Sequence, residues 1–278
     1  MKVFGIRFIF TVLLIGSLIS LLAGCGKEEP EEAAPAAEEP AVESVPAQEE
    51  PVIQEAVPAE PATEEKETTV EETLTPEESK AREEAAAAEA ALRKPSLAKE
   101  IAPASFKVRF ETTKGDFTVE ATREYSPAGV DRFYNLVKIG FFKDIAFFRV
   151  LDGFVVQFGI HGDPDIALAW QDANIPDEGP VVSNKPGFLT YAKGGPNTRS
   201  TQFFINLVDN ASLDGRGFPP IGKVIQGMEV VESLYSGYGE GAPMGRGPSQ
   251  AKITSIGNDN LKKEFPQLDY IKTATLVD

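Results

Sequence analysis

Short runs of alternating apolar and polar residues recur between residues 106 and 256, and this alternation is typical of half-buried β-strands. Phe106–Phe110 and Phe117–Glu120 alternate in this way, and the turn residues Thr113–Asp116 between them predict a β-hairpin. Further strands are predicted at Ile145–Val150, Phe154–Phe158, Phe188–Ala192, Gln202–Leu207, Gly222–Ile225 and Lys252–Ile256. We expect the tail Leu261–Asp278, which mixes charged and apolar residues, to pack on the surface of this β-rich part.

Two segments of the same region have the spacing of helices. Ser126 and Pro127 suit the start of a helix, and apolar residues then recur every three or four positions up to Gly140. These apolar residues are Val130, Phe133, Tyr134 and Val137. A second helix is predicted over Met228–Leu234. Many short strands and two helices indicate a mainly β fold, in which an antiparallel sheet closes into a barrel and helices cover its ends.

The composition of residues 27–100 differs sharply from that of the β-rich part. This segment contains 22 Glu against 7 Lys and Arg, so its net charge is −15, and it has no aromatic residue. A segment with so little apolar surface cannot offset the entropy cost of folding, and repulsion between its charges keeps it extended. We therefore predict that residues 25–100 form a disordered acidic tether. An acidic arm that binds a basic partner is the alternative.

One piece of this tether has the signals of a helix. Thr75 offers an N-cap hydroxyl, Pro76 suits the first helical position, and Glu78 stands at the reciprocal position of a capping box. Alanine-rich sequence follows, and Pro95 ends it. We expect a solvated helix over residues 76–93.

The first 25 residues have the features of an export signal. Two basic residues precede the apolar run Phe8–Leu22, which is short for a transmembrane helix of about 20 apolar residues. The only cysteine of the chain, Cys25, follows Leu22-Ala23-Gly24, and this sequence resembles a bacterial lipobox, in which the cysteine is acylated. We predict a signal peptide over residues 1–24 and lipidation of Cys25. The domain would then be anchored to a membrane of the bacterial cell envelope and exposed in the periplasm or outside the cell.

Charge and residue types exclude several functions for residues 101–278. Their net charge of −3 offers no basic surface, so we expect no nucleic-acid binding. The whole chain has one Cys, Cys25, and one His, which are too few ligands for a cysteine- or histidine-based metal site, and we read the sequence His161–Asp165 as a turn. The glycine-rich segment Gly237–Gly247 lacks the strand-turn-helix context of a dinucleotide-binding motif. We also find no nucleophile elbow and no Walker loop, and we expect no cofactor.

Four sequence blocks carry a resemblance to a known family. They are Phe147–Gly159, Gly195–Ile205, Leu213–Gly215 and Gly222–Val224. In the content and the order of these blocks, the chain resembles the cyclophilins across roughly residues 105–258. The resemblance implies a closed eight-stranded antiparallel barrel capped by two α-helices within residues 101–278. It also implies a peptidyl-prolyl cis-trans isomerase that acts on proline-containing polypeptides, and we expect a monomer.

This chemistry fits the residues that the chain offers. Rotation about an X-Pro bond must cross a barrier of ~20 kcal/mol because amide resonance is lost on twisting. No covalent bond breaks, so neither a nucleophile, a metal ion nor an acid–base pair is required. An apolar pocket favours the less polar, twisted amide. Arg149 is always charged and can donate a hydrogen bond to the prolyl nitrogen, whose lone pair returns only in the transition state.

The resemblance implies a role for each residue of the site. Arg149 would donate to the prolyl nitrogen or carbonyl, Gln157 would hydrogen-bond the substrate backbone, and Gln202 would support Arg149. The backbone of Ala192 and Lys193 would pair with the extended peptide. The proline ring would occupy an apolar pocket formed by Phe154, Val155, Phe204 and Leu213.

Several positions depart from the family pattern. Val155 stands where Met is usual, Lys193 where many members have Asn, and Ser212 where Trp is usual. The usual His aligns near Gly217 and Phe218, and Phe218 is a candidate to fill that wall of the pocket. The departures at Ser212 and Gly217 keep open the alternative of a module that binds proline-containing segments with little turnover. A surface adhesin that uses the barrel only as a scaffold is a further alternative.

Overall fold

The computed structural model describes residues 75–278, and a single antiparallel sheet of nine strands forms the centre of this part of the chain. The strands are β1 (Ser105–Thr112), β2 (Asp116–Thr122), β3 (Ile145–Ala146), β4 (Arg149–Leu151), β5 (Val155–Phe158), β6 (Phe188–Tyr191), β7 (Phe203–Asn206), β8 (Pro220–Gln226) and β9 (Tyr270–Val277). Their order across the sheet is β3-β9-β1-β2-β8-β6-β7-β5-β4. The predicted hairpin is confirmed, because β1 pairs with β2 along its length. Ser105 lies opposite Thr122 at one end, and Glu111 lies opposite Asp116 at the other.

The sheet curls around a core of phenylalanine rings. Four strands separate β1 from β5 in the sheet order, yet the rings of Phe110 on β1 and Phe158 on β5 lie 6.1 Å apart. The outermost strands β3 and β4 follow one another in the chain, with only Phe147 and Phe148 between them. They are not paired with each other, so the prediction of a closed eight-stranded barrel is not confirmed. The observed architecture is a curled, nine-stranded antiparallel sheet.

Five α-helices accompany the sheet in the described part of the chain. They are α1 (Pro76–Arg93), α2 (Pro127–Lys138), α3 (Pro164–Gln171), α4 (Met228–Glu232) and α5 (Gln250–Glu264). The two helices predicted from apolar spacing correspond to α2 and α4. Of the four predicted apolar positions of α2, Val130, Phe133 and Val137 are buried in the phenylalanine core, and Tyr134 is partly buried against it. None of the helices within residues 75–278 combines the length and the apolar character needed to cross a membrane.

The predicted strand Lys252–Ile256 is wrong, because these residues lie in α5. Their β-branched residues favour a strand locally, but the N–H of Ile253 donates to the carbonyl of Ser249 at 2.9 Å, as in an α-helix, and Ile253 is buried while Ile256 is 42% exposed. The helical backbone is interrupted at Gly257, whose φ is +65°, before the part of α5 that carries Leu261. The sheet is instead completed by β9, which pairs with β1 and β3, so much of the tail that we expected on the surface is an integral strand.

The segment after β5 contains α3, which the sequence patterns did not predict. Asp163 caps this helix by accepting a hydrogen bond from the N–H of Asp165 at 2.9 Å, and Pro164 occupies its first turn. His161 is close by, and its Nδ1 accepts from the N–H of Asp163 at 2.9 Å. The Asp-Pro sequence therefore starts a helix, and His161 serves the backbone of that turn.

The helix predicted over residues 76–93 is confirmed as α1, together with its capping box of Thr75 and Glu78. It is not fully solvated, however. Ala91 is buried in the main core, and the indole N–H of Trp170 on α3 donates to the carbonyl of Leu92 at 2.7 Å. These two contacts show that α1 is docked on the β-rich domain.

Removal of α1 should expose the single tryptophan of the protein. Trp170 is fully buried and loses both its hydrogen-bond acceptor and its cover when the chain is shortened to residues 98–278. Compared with residues 75–278, we expect red-shifted tryptophan emission and a free energy of unfolding lower by roughly 2 kcal/mol. Fluorescence-detected urea unfolding of the two chains measures both. Identical emission and stability would show that α1 is not docked in solution.

Candidate active site

A cavity of about 360 Å³ opens on the outer face of the sheet, beside β4, β5 and β7. Its lining consists of Arg149, Phe154, Val155, Gln157, Ala192, Lys193, Phe204, Leu213, Arg216, Phe218 and Gln250. Nine of these were predicted from the sequence. The tenth predicted residue, Gln202, lines an adjoining cavity of about 170 Å³ that shares Gln157, Ala192 and Lys193 with the first. The structure therefore brings all ten predicted residues together, and it adds Arg216 and Gln250.

Strand alternation explains why polar and apolar side chains of the site share one face. Gln157 on β5 pairs directly with Phe204 on β7, so these two side chains lie on the same side of the sheet. Their neighbours Phe158 and Phe203 point to the opposite side, where their rings are 5.9 Å apart in the core. One face of these two strands thus builds the core, and the other builds the cavity.

The apolar part of the cavity is a separate small cluster. Val155, Phe204 and Leu213 are each between 2% and 6% exposed and form one cluster. Phe154, Ala192 and Phe218 pack around them. These are the residues expected to receive a proline ring, and their burial shows that they form a water-poor surface.

Leu213 reaches the cavity from a 3₁₀ helix, Ala211–Arg216, that side-chain hydrogen bonds hold in place. The carboxylate of Asp214 accepts from the hydroxyl of Ser183 at 2.5 Å and from the side-chain amide of Asn184 at 2.8 Å. Burial alone would raise the pKa of Asp214, but these hydrogen bonds leave it below its usual range. The side-chain amide of Asn210 also donates to the carbonyl of Phe154 at 3.1 Å, which links this helix to the opposite wall of the cavity.

Arg149 is held at the edge of the cavity by a row of side chains. Its Nη1 donates to Oε1 of Gln157 at 3.0 Å, and Nε2 of Gln157 donates to Oε1 of Gln202 at 3.0 Å. Gln202 therefore supports Arg149 through Gln157 and not by direct contact. The guanidinium carbon of Arg149 also lies 5.8 Å from the centre of the Phe154 ring.

A carboxylate that was not predicted completes the surroundings of Arg149. Glu240 accepts from Nε of Arg149 at 2.6 Å and from Nη2 at 2.7 Å. These hydrogen bonds hold the pKa of Glu240 below its usual range, against a smaller effect of burial. Glu240 belongs to the glycine-rich segment that resembles no binding motif, and it is 91 positions away from Arg149, so no local pattern indicated the contact.

Phe218 lines one wall of the cavity. Its ring meets that of Phe204 edge to face, with the centroids 6.1 Å apart. Two cations lie over it, with Nζ of Lys193 at 5.4 Å and Cζ of Arg216 at 5.8 Å from its centroid. Lys193 thus contributes its side chain to the cavity as well as its backbone.

Comparison with known proteins agrees with this geometry. The family model described as cyclophilin type peptidyl-prolyl cis-trans isomerase/CLD matches residues 107–258, which is more than half of the chain. The chain belongs to this cyclophilin family. Relatives in the family carry the name peptidyl-prolyl cis-trans isomerase, and the protein is accordingly an isomerase.

Several relatives show how far this similarity extends. Peptidyl-prolyl cis-trans isomerase CYP18-2 of Arabidopsis thaliana is 35% identical over 135 residues, which cover 47% of this chain and 80% of that protein. Peptidyl-prolyl cis-trans isomerase-like 1 of Aspergillus fumigatus is 32% identical over 133 residues, 46% of this chain and 80% of the relative. A crystal structure of a cyclophilin from Cryptosporidium parvum aligns with a TM-score of 0.46 at 23% identity and covers 63% of this chain and 98% of that one.

In this cyclophilin, a buried arginine anchors the segment after β6, which contributes Ala192 and Lys193 to the cavity wall. The side chain of Arg199 is fully buried and donates from Nη2 to Glu178 at 2.9 Å and from Nη1 to the hydroxyl of Ser126 at 3.0 Å. Glu178 also accepts from the N–H of Ala128 at 2.9 Å, in the first turn of α2. Nearby, Lys193 donates to Asp177 at 3.0 Å. These contacts tie the segment of Lys193 to the core.

Loss of the Glu178 carboxylate should therefore lower the stability of the folded protein. Burial would raise the pKa of Glu178, but hydrogen bonds from Ser126, α2 and Arg199 outweigh it and lower the pKa. In Glu178→Gln the buried guanidinium of Arg199 loses a charged partner, and we expect the free energy of unfolding to fall by about 3 kcal/mol. The exposed Glu124→Gln should change it by less than about 0.5 kcal/mol.

The same substitution should also change the pH dependence of stability. A carboxyl with a lowered folded pKa stabilises fully above its unfolded pKa, and this contribution is lost as the pH falls through the folded value. Below the ordinary pKa of 4.5, the wild type should therefore lose more stability than Glu178→Gln. Urea unfolding at a series of pH values measures this difference. Equal stability of the Glu178 and Glu124 variants would contradict the anchoring role.

Proposed function

We propose that this cyclophilin catalyses cis-trans isomerisation of X-Pro bonds in exported proteins, and that Arg149 and the adjoining apolar cavity lower the rotation barrier. The observation that carries the proposal is the guanidinium of Arg149, which is held by Gln157 at the edge of a cavity lined by Val155, Phe204 and Leu213. A charged donor and an apolar surface that meet at one cavity are the two features that this reaction can use.

The cavity would act on the substrate through burial of the proline ring. A proline ring packed on Phe204 and Leu213 would be removed from contact with water, and so would the X-Pro bond beside it. The twisted amide is less polar across its C–N bond than the planar one, so a water-poor surface stabilises the transition state relative to the ground state. Each ~1.4 kcal/mol of this difference raises the rate about tenfold.

Arg149 would add a hydrogen bond that exists only during rotation. The pyramidal prolyl nitrogen regains a lone pair, and a guanidinium fixed beside the ring can donate to it or to the prolyl carbonyl. Gln157 keeps one amide hydrogen for the substrate, since its other groups bond Arg149 and Gln202. The N–H of Ala192 already donates to the carbonyl of Gln202 at 2.9 Å, so pairing with an extended peptide would use the Ala192 carbonyl and the backbone of Lys193.

The cellular part of the proposal rests on the N-terminal sequence. An apolar run, small residues and Cys25 in Leu-Ala-Gly-Cys support export and lipidation, and the acidic segment supports a tether between the anchor and the domain. Cys25, the signal segment and residues 26–74 of the acidic segment lie outside the described residues. We propose an anchored monomer in a bacterial cell envelope that assists folding of exported clients.

Substitution of Arg149 tests the proposed mechanism. In Arg149→Ala the donor to the prolyl group is absent, so we expect the catalysed isomerisation of a short Ala-Pro peptide to fall about 100-fold or more. Arg109→Ala is the control, because Arg109 is exposed on β1, bonds Asp116 and does not line the cavity. Exchange spectroscopy of the peptide by NMR measures the rates.

The outcome also separates the two main functions. Equal rates for Arg149→Ala and the wild type would contradict catalysis by Arg149. If the wild type binds the peptide without accelerating its isomerisation, the domain is the proline-binding module that the departures at Ser212 and Gly217 indicate as the alternative.

Substitution of Cys25 tests the anchor. In bacteria that express the full chain, we expect the wild type to partition with membranes and to incorporate labelled palmitate. Cys25→Ser should be released into the soluble fraction of the envelope and should carry no label. Membrane association that is independent of Cys25 would contradict lipidation and would favour an uncleaved apolar segment as the anchor.

A further inference from the structure

The contact between Arg149 and Glu240 is not part of the site that the family resemblance implied. Both oxygens of the Glu240 carboxylate accept from Arg149, one from Nε at 2.6 Å and one from Nη2 at 2.7 Å. A two-point contact of this kind fixes the plane of a guanidinium as well as its position. The contact therefore determines where the remaining donors of Arg149 point.

The number of donors makes this contact relevant to catalysis. A guanidinium has five N–H groups, of which Glu240 takes two and Gln157 takes one in this structure. Two N–H groups of Arg149 are left for a peptide in the cavity. Glu240 and Gln157 thus hold the guanidinium at different nitrogens without using all the donors that the reaction needs.

The loop that carries Glu240 is built closely around this residue. The carbonyl of Glu240 accepts from the N–H of Gly247 at 2.8 Å, and the N–H of Ala242 donates to the carbonyl of Gly247 at 3.0 Å. A Cβ atom at Gly245 would lie only 2.8 Å from the Cβ of Glu240, so a side chain there would displace the glutamate. The glycines of this segment therefore allow the backbone to fold tightly beneath Glu240.

The same loop is attached to the rest of the protein next to the site. The hydroxyl of Ser236 donates to Asp152 in the turn between β4 and β5 at 2.9 Å. Tyr238 packs edge to face on Phe265, with centroids 5.0 Å apart. Beyond the loop, Gln250 at the start of α5 lines the cavity itself. Glu240 is thus presented by a segment that is tied down near both of its ends.

The exposure of the two side chains shows why Arg149 needs such a partner. The side chain of Arg149 is 18% exposed and that of Glu240 is 37% exposed, so the pair lies at the rim of the cavity. A long cationic side chain beside the Phe154 ring can otherwise turn towards water, where its charge is well solvated. The carboxylate offers Arg149 a charged partner in the orientation that faces the cavity.

We propose that Glu240 is a positioning residue for Arg149: its carboxylate fixes the guanidinium so that the two free N–H groups face the prolyl peptide. The proposal rests on the proposed isomerase function and adds an acidic residue to it. Glu240 itself would not touch the substrate. Its effect would appear in the rate of rotation and hardly in the affinity for the peptide, because Arg149 bonds the prolyl group most strongly in the transition state.

Kinetics of Glu240 variants in the full chain test this proposal. We expect Glu240→Ala to lower kcat for an Ala-Pro peptide about tenfold, with less than about a twofold change in peptide Kd. Glu240→Gln keeps the shape and one acceptor, so its loss should be smaller. The matched control is Glu232→Ala, an exposed glutamate on α4 that lies outside the cavity lining and should leave kcat unchanged. Urea unfolding checks that the stability of each variant matches that of the control.

A second measurement reports on Arg149 directly. In ¹H–¹⁵N spectra, the Nε–H signal of Arg149 should lie downfield in the wild type because it donates to a carboxylate, and it should move upfield in Glu240→Ala. In the Arg149→Lys background, Glu240→Ala should lower kcat much less than in the wild type, since residues that act as a unit are not additive. A structural role elsewhere would lower kcat equally in both backgrounds.

Each possible outcome decides whether Glu240 positions Arg149. A kcat in Glu240→Ala that is unchanged or higher, an unmoved Arg149 signal, or equal losses in both backgrounds would each overturn the positioning role. Failure of the isomerase function itself is recognised separately, because the wild type would then bind the peptide without accelerating its isomerisation. A loss in Arg149→Ala without a loss in Glu240→Ala rejects only the role of Glu240.

Discussion

A cation beside an apolar cavity is stable only if its donors are satisfied, and the site of this cyclophilin depends on how that condition is met. Arg149 lies against Phe154 and next to the cluster of Val155, Phe204 and Leu213. Water would satisfy the guanidinium but would also fill the cavity. Gln157 and Glu240 satisfy three of its donors instead, so a charged group and a water-poor surface can be neighbours.

The strands that carry this site also carry the core, and alternation along each strand separates the two. On β7, Phe203 packs in the phenylalanine core while Phe204 faces the cavity. On β5, Phe158 packs inwards while Gln157 holds Arg149. A site built on strands that are fixed by the core is rigid, and rigidity is what a donor needs when it must meet a nitrogen that becomes an acceptor only during rotation.

The sequence predicted those parts of the molecule that are encoded locally. Alternation predicted the β1–β2 hairpin, and the capping box predicted α1. The motif blocks contain seven of the ten predicted residues of the site, and the other three, Ala192, Lys193 and Phe218, came from the wider resemblance to the family. Ile253 shows where this approach failed, because a short β-branched run fits either a strand or one face of a helix, and only packing against Leu261 decides between them. Glu240 was missed for a different reason: its partner is distant in sequence, and a glutamate in a glycine-rich loop has no distinguishing pattern. The docking of α1 on Trp170 is likewise a tertiary contact, between residues 78 positions apart.

The most direct test of the central claim is a structure of the domain with a bound peptide that contains one Ala-Pro bond. The account predicts that the proline ring contacts Phe204 and Leu213 and that a free N–H of Arg149 lies ~3 Å from the prolyl nitrogen or carbonyl. In that complex the Arg149 side chain should remain bonded to Gln157 and Glu240. A proline bound elsewhere, or a guanidinium turned away from the bound peptide, would contradict the account.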